Sequence, residues 1–210
     1  TSKQGEGQSK EKKDFFIKFD RSSKDTINMN YLTKAMQDSI EAMRRVEEVE
    51  TTLKKKFSNL LTERPDLEKL LSSIKIEMTK EGLRIELIES TESLFFEVGS
   101  AKLRPEAINI LKALSEEIGK LPNYVEVEGH TDSRAYSTKT GYNNWDLSTD
   151  RALAARRILD TSGLWDGQII KVTGFADKKL RNPENPFDAS NRRISILIKQ
   201  ISASQFISNN

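Results

Sequence analysis

The feature that most constrains the fold is a change of hydrophobic period at Ile74. Before it, Leu32, Met36, Ile40, Met43, Val46, Val49, Leu53, Phe57 and Leu60 recur every three or four positions. That spacing predicts an amphipathic helix from about Asn30 to Leu61. After it, Ile74, Ile76 and Met78 alternate with Lys75 and Glu77, a Glu81-Gly82 turn follows, and Leu83, Ile85 and Leu87 alternate with Arg84 and Glu86. A period of two on either side of a glycine turn predicts a β-hairpin. Between the two regimes Arg64-Pro65 breaks the helix, because proline disfavours helical geometry in the residue before it, and Asp66 to Ser72 can restart a short one.

Beyond the hairpin the periods keep switching. Pro105 opens a helix with Ile108, Leu111, Leu114 and Ile118 on one face, the proline being tolerated where its missing N–H would be unpaired anyway. Tyr124 to Glu128 reads as a strand, Gly129 to Asp146 as a loop, and Ser148 as the N-cap of a helix running to about Thr161. Ile169 to Thr173 and Ile194 to Ile198 read as further strands, separated by a loop. The order ββαβαββ predicts an α+β fold, one mixed sheet with two helices packed on it, preceded by the long amphipathic helix. The chain divides into a flexible charged tether (1–28), an N-terminal helical segment (29–73), the sheet domain (74–200) and a C-terminal tail (201–210). The tether holds one short apolar cluster, Phe15 to Phe19, that can pack on the domain or on a partner. The mean spacing of the helix stripe is near the 3.5 residues of a coiled coil, so it either pairs two chains or covers the domain's own core.

Charge and composition exclude several function classes. The 34 basic and 32 acidic residues leave a net charge of +2, too balanced for a nucleic-acid groove. There is no cysteine, which removes disulfides, thiolate zinc sites and cysteine nucleophiles. No run approaches the roughly 20 apolar residues that span a bilayer, and the N-terminus lacks the apolar core of a signal peptide. The single histidine, His130, has no second histidine with which to build a metal site, so it reads as a residue that braces its loop by hydrogen bonding.

The residues with recognition chemistry lie between Gly129 and Arg151. Gly129-His130-Thr131-Asp132 leaves a strand end, and Arg151 falls in the first turn of the helix expected after it. An aspartate and an arginine converging from two such elements offer a carboxylate acceptor and a planar five-donor fork, the complement of a group carrying both an ammonium and a carboxylate. They can equally form an ordinary ion pair with each other. Trp145, Tyr142 and Tyr136 are either a stacking platform or, for Trp145, a core or loop anchor.

The words GHTD, NWDLSTDRA and Asn191-Arg192-Arg193 before a strand resemble the OmpA-like C-terminal domain family, over about Ser90 to Gln200. Within it, GYNNWDLSTDRALAARR resembles the MotB-like branch, the wall-anchoring subunits of flagellar stators. The resemblance implies a non-catalytic domain without metal or cofactor that binds the diaminopimelate-containing stem peptide of peptidoglycan. Asp132 would take the ligand's ammonium and Arg151 its carboxylate, with Thr131, Asn144 and Leu147 shaping the groove and Arg193 at its rim. It also implies a periplasmic location, an inner-membrane helix preceding this chain, a MotA-like partner and a homodimer. Other MotB-like stators and general envelope anchors of the Pal type share the pattern. A wall hydrolase using Asp132 with Glu128 is the enzymatic alternative, and it lacks a second carboxylate at a defined geometry. The loop between Asp132 and Asn144 is longer than in the shortest family members, adding Arg134, Tyr136, Lys139 and Tyr142.

Overall fold

A computed structural model describes residues 29–136 and 141–201. The Phe15 to Phe19 cluster, with the rest of the tether, and the tail from 202 onward lie outside the described residues. The elements in chain order are α1 (Met29–Glu63), a 3-10 turn (Pro65–Leu67), α2 (Glu68–Ser72), β1 (Ile74–Thr79), β2 (Gly82–Ile88), α3 (Pro105–Ile118), β3 (Val125–His130), α4 (Asn144–Ser162), β4 (Ile169–Gly174), a second 3-10 turn (Ala189–Asn191) and β5 (Arg193–Lys199). No helix among the described residues is long and apolar enough to cross a membrane.

The five strands form one mixed sheet in the order β1-β2-β5-β3-β4, antiparallel except for the β3-β4 pair. The period-two residues Leu83, Ile85 and Leu87 of β2, Ile194, Ile196 and Ile198 of β5 and Val125 and Val127 of β3 share one buried face. Onto it pack Leu111, Leu114 and Ile118 of α3 and Ala152, Ala155 and Leu159 of α4. The expected α+β arrangement of a mixed sheet under two helices is therefore the one observed.

Only part of the α1 stripe covers the domain's own core. Val46, Val49 and Leu53 join the core cluster, and Leu53 is fully buried. Burying one such leucine contributes about 1.5–3 kcal/mol, so this half of α1 is bonded to the domain by its apolar face. Met36, Ile40 and Met43, one to three turns earlier, remain exposed. The opposite sheet face is polar: Arg84 pairs with Glu128 at 2.8 Å and Arg193 with Glu86 at 2.9 Å, and Arg181 also pairs with Glu86.

Topology brings distant residues to one end of the sheet. β5 enters beside the end of β3, with Arg193 opposite His130, so Arg192 meets Asp132 just beyond the ladder. On the other side Arg193 lies opposite Ile88, which sets Glu89 against Arg192, and the Glu89 amide donates to the Arg192 carbonyl at 2.8 Å. Glycine permits α4 to close on this end. A Cβ at Gly129 would lie 1.9 Å from the Ser148 carbonyl oxygen, and one at its neighbour Gly174 would lie 2.1 Å from Thr149 Oγ1. Only strands without side chains at these two points let the N-terminal half of α4 approach so closely.

Candidate functional site

α4 begins at Asn144 and not at Ser148. Asn143 is its N-cap: the Asn143 side chain accepts from the Trp145 amide at 2.8 Å, and the Asp146 carboxylate accepts from the Asn143 amide at 2.8 Å. These reciprocal bonds satisfy two otherwise unpaired groups at the helix start. Asn144 and Leu147 are thereby helical, and Arg151 sits in the third turn rather than the first. Ser148, inside the helix, donates to the Trp145 carbonyl and accepts from the Ala176 amide at 3.0 Å. Ala176 has φ of +47°, and its carbonyl in turn accepts from the Thr131 amide at 2.8 Å. A strained residue is thus held in place by bonds to the helix on one side and to the GHTD loop on the other.

These contacts border an open cleft of about 450 Å³, lined in part by Thr131, Asp132, Asn144, Leu147, Arg151 and Arg192. Thr131 is 2% exposed, and its Oγ1 is buried with no hydrogen-bond partner. Asp132 and Arg151 border the same cleft but do not pair with each other. Asp132 Oδ2 accepts from Arg192 at 2.6 Å and from Arg134 at 2.8 Å, while Oδ1 accepts from the Arg134 amide at 3.1 Å. Arg192 is anchored again through its other terminal nitrogen, which donates to the Ser90 carbonyl at 2.8 Å.

Arg151 is 6% exposed, and its guanidinium lies 4.9 Å over the Phe96 ring while Nε donates to the Ser100 carbonyl at 2.9 Å. Its two terminal nitrogens make no hydrogen bond to the described residues. Burial lowers its pKa, and the nearby Glu89 carboxylate opposes that shift, so the guanidinium stays charged in a desolvated seat. Glu89 is itself buried, which raises its pKa, and its Oε1 accepts from the Phe95 and Phe96 amides at 3.2 and 3.0 Å. Glu89 therefore holds the loop that carries the ring beneath Arg151. The sequence reading missed Glu89, Phe96 and Ser100. The paired phenylalanines in a loop otherwise rich in polar residues were the available signal.

Arg193 is placed elsewhere. Its side chain crosses the polar sheet face to Glu86 and to the Lys179 carbonyl, and Arg192, one residue earlier, is the arginine that lines the cleft. His130 does not brace its loop by hydrogen bonding: both ring nitrogens are buried without a partner, Nε2 being 3.6 Å from Glu128, and the ring stacks on Phe175 at 5.2 Å. Burial lowers its pKa, so it is neutral near pH 7. Trp145 is half exposed, while Tyr136 and Tyr142 meet edge to face at 5.9 Å. The Tyr136 hydroxyl donates to the Gly99 carbonyl at 2.6 Å, tying the long loop to the cleft's far wall. A second, mostly apolar cavity of about 70 Å³ lies between α1 and the sheet, lined by Met43, Val46, Met78 and Ile198 among others, with Glu47 and Lys199 its charged lining residues.

Residues 95–193 match the OmpA family. Motility protein B of Escherichia coli K12 is 39% identical over 152 residues, which cover 72% of this chain and 49% of that protein. The chain thus spans about half the length of the curated relatives it matches first. Among solved structures, the cell wall anchor of the T6SS from Pseudomonas aeruginosa superposes with a TM-score of 0.54 at 24% identity, covering 68% of this chain and 97% of that one. The periplasmic domain of Helicobacter pylori MotB does so with a TM-score of 0.54 at 18% identity, covering 64% and 94%. At these identities the two likenesses show the fold.

Proposed function

Since residues 95–193 of this chain are an OmpA-family domain, we propose that it is the peptidoglycan-binding part of a MotB-like stator subunit, a non-catalytic anchor in the periplasm. The observation that carries the reading is the Arg151 seat: a desolvated guanidinium whose two terminal nitrogens make no hydrogen bond among the described residues, across one cleft from the Asp132 carboxylate. A buried arginine left this way gains most from a carboxylate that accepts both nitrogens at once. The free end of diaminopimelate in an uncrosslinked stem carries that carboxylate on the same carbon as an ammonium, the group that Asp132 would take. The unpaired Thr131 hydroxyl supplies a further polar contact on the same wall. Asn144 fixes the loop by donating to the Arg134 carbonyl at 2.9 Å, and Leu147 forms part of the cleft wall.

The stator assignment, in preference to another wall anchor, rests on the 39% identity to motility protein B across 152 residues. It implies an inner-membrane helix before this chain, a MotA-like partner there, and pairing of two copies through the exposed residues Met36, Ile40 and Met43 of α1. The test of binding is co-sedimentation with purified diaminopimelate-type peptidoglycan. The protein is expected to pellet without releasing soluble muropeptides, and Arg151→Ala and Asp132→Asn, both still folded by circular dichroism, are expected to stay in the supernatant. Pelleting of both variants would place the wall-binding surface outside this cleft, and soluble muropeptides would replace anchoring with hydrolysis.

A further inference from the structure

Asp132, the residue assigned above to the ligand's ammonium, is already occupied. Two guanidinium groups share its Oδ2, and they are not equivalent. Arg192 is largely buried, its side chain 19% exposed, and a second bond to the Ser90 carbonyl makes it a fixture of the fold. Arg134 has a side chain 60% exposed, and the described structure holds its guanidinium by the single 2.8 Å contact to Asp132. Its backbone, by contrast, is pinned on both sides, the amide donating to Asp132 Oδ1 and the carbonyl accepting from Asn144. The side chain can therefore swing into solvent without disturbing the loop.

We propose that Arg134 is a built-in competitor for the ligand: its guanidinium occupies on Asp132 the place that the ammonium of a wall stem peptide takes, and must leave when the peptide binds. This rests on the reading of Asp132 as the ammonium acceptor. The competition follows from the oxygen's geometry. Arg192 fills one of the two lone-pair sites of Oδ2 and stays in place, and Arg134, which lines the open cleft, fills the other, so an ammonium that bonds Oδ2 must displace it. An exposed ion pair is weak, so the competitor sets affinity without blocking the site. Its charge also raises the positive field of the cleft, where Arg134, Arg151 and Arg192 face Asp132, the one lining carboxylate among the described residues. The cleft thus admits a carboxylate-rich stem readily and releases its ammonium readily.

The test is isothermal titration with a soluble tripeptide stem ending in meso-diaminopimelate, using the full chain and its Arg134→Gln variant at low and at 0.5 M salt. Arg134→Gln removes the competing charge and is expected to tighten binding by about 2- to 5-fold, the range that an exposed pair commands. A conservative Arg134→Lys is expected to stay near the parent, since an ammonium also competes. Unchanged or weaker binding in Arg134→Gln overturns the proposal, because a purely supportive or steering role for the arginine predicts one of those results. Asp132→Asn separates the two levels. If it binds as well as the parent, the ammonium assignment itself has failed. If it loses binding while Arg134→Gln shows no gain, only the competitor is wrong.

Discussion

Replacing Gly129 by alanine tests the link between fold and cleft most sharply. The added Cβ would lie 1.9 Å from the Ser148 carbonyl oxygen and 3.3 Å from the Ala152 side chain. Relief requires α4 to move away from β3 by about 1 Å, against the packing of Ala152, Ala155 and Leu159 in the core. Overpacking of this kind costs about 1–3 kcal/mol. At roughly 2–4 °C per kcal/mol for a chain of this size, the melting temperature is expected to fall by about 2–12 °C. The same displacement carries Arg151 away from Asp132, which stays with the sheet. A charged hydrogen bond contributes about 1.5–3 kcal/mol, so loss of one such contact weakens stem-peptide binding roughly 10- to 150-fold. Gly167→Ala is the control: Gly167 has φ of +80° with no atom within 4 Å of its added Cβ, so alanine there meets backbone strain alone. Calorimetry and peptide titration on both variants check the argument. If Gly129→Ala is no less stable than Gly167→Ala and binds like the parent, close approach of α4 does not build the cleft.

Two other expectations follow from the structure. Burial works against charge on Glu128, but the Arg84 guanidinium bonded to it at 2.8 Å, joined by His130 at 3.6 Å once that ring is protonated, outweighs it and holds the carboxyl at about 2, below its ordinary 4.5. The folded state thus binds this proton less readily than the unfolded chain, so the stabilisation is complete above about pH 4.5 and is lost as pH falls towards 2. Urea titrations across that window should show Glu128→Gln flattening the decline, and an unchanged slope would assign acid sensitivity to other groups. On α1, Ile40→Lys places a charge in the exposed stripe of Met36, Ile40 and Met43 and is expected to shift sedimentation equilibrium from dimer to monomer at micromolar concentration; a monomeric parent would remove that stripe from the assembly.

Most elements were legible because their hydrophobic periods are local. The hairpin of β1 and β2, the proline start of α3 and the stripe of α1 each follow from neighbours two to four positions apart. The start of α4 was misplaced because Asn143 and Ser148 are both good caps, and the box that decides between them uses Asp146 where glutamate or glutamine is the usual signal. Thr131, Asp132, Asn144, Leu147 and Arg151 were nameable from their motifs as cleft residues, whereas Arg193 was named where Arg192 stands and the pairings were not legible. Asp132 meets Arg192 across 60 residues because β5 enters beside β3, and Arg151 on α4 reaches Ser100, in the loop between β2 and α3, across 51. His130 likewise stacks on Phe175 because β3 and β4 run parallel, and nothing near either residue announces the partner.

The central claim is that Arg151 and Asp132 together receive the zwitterionic end of a wall peptide. It is tested most directly by following the Arg151 Nε–H resonance and the Thr131 and Asp132 amides by NMR while titrating meso-diaminopimelate tripeptide. The account predicts saturable shifts at all three, absent in Arg151→Ala for the two amides. Shifts confined to the apolar cavity between α1 and the sheet, with the Arg151 resonance unmoved, would contradict it.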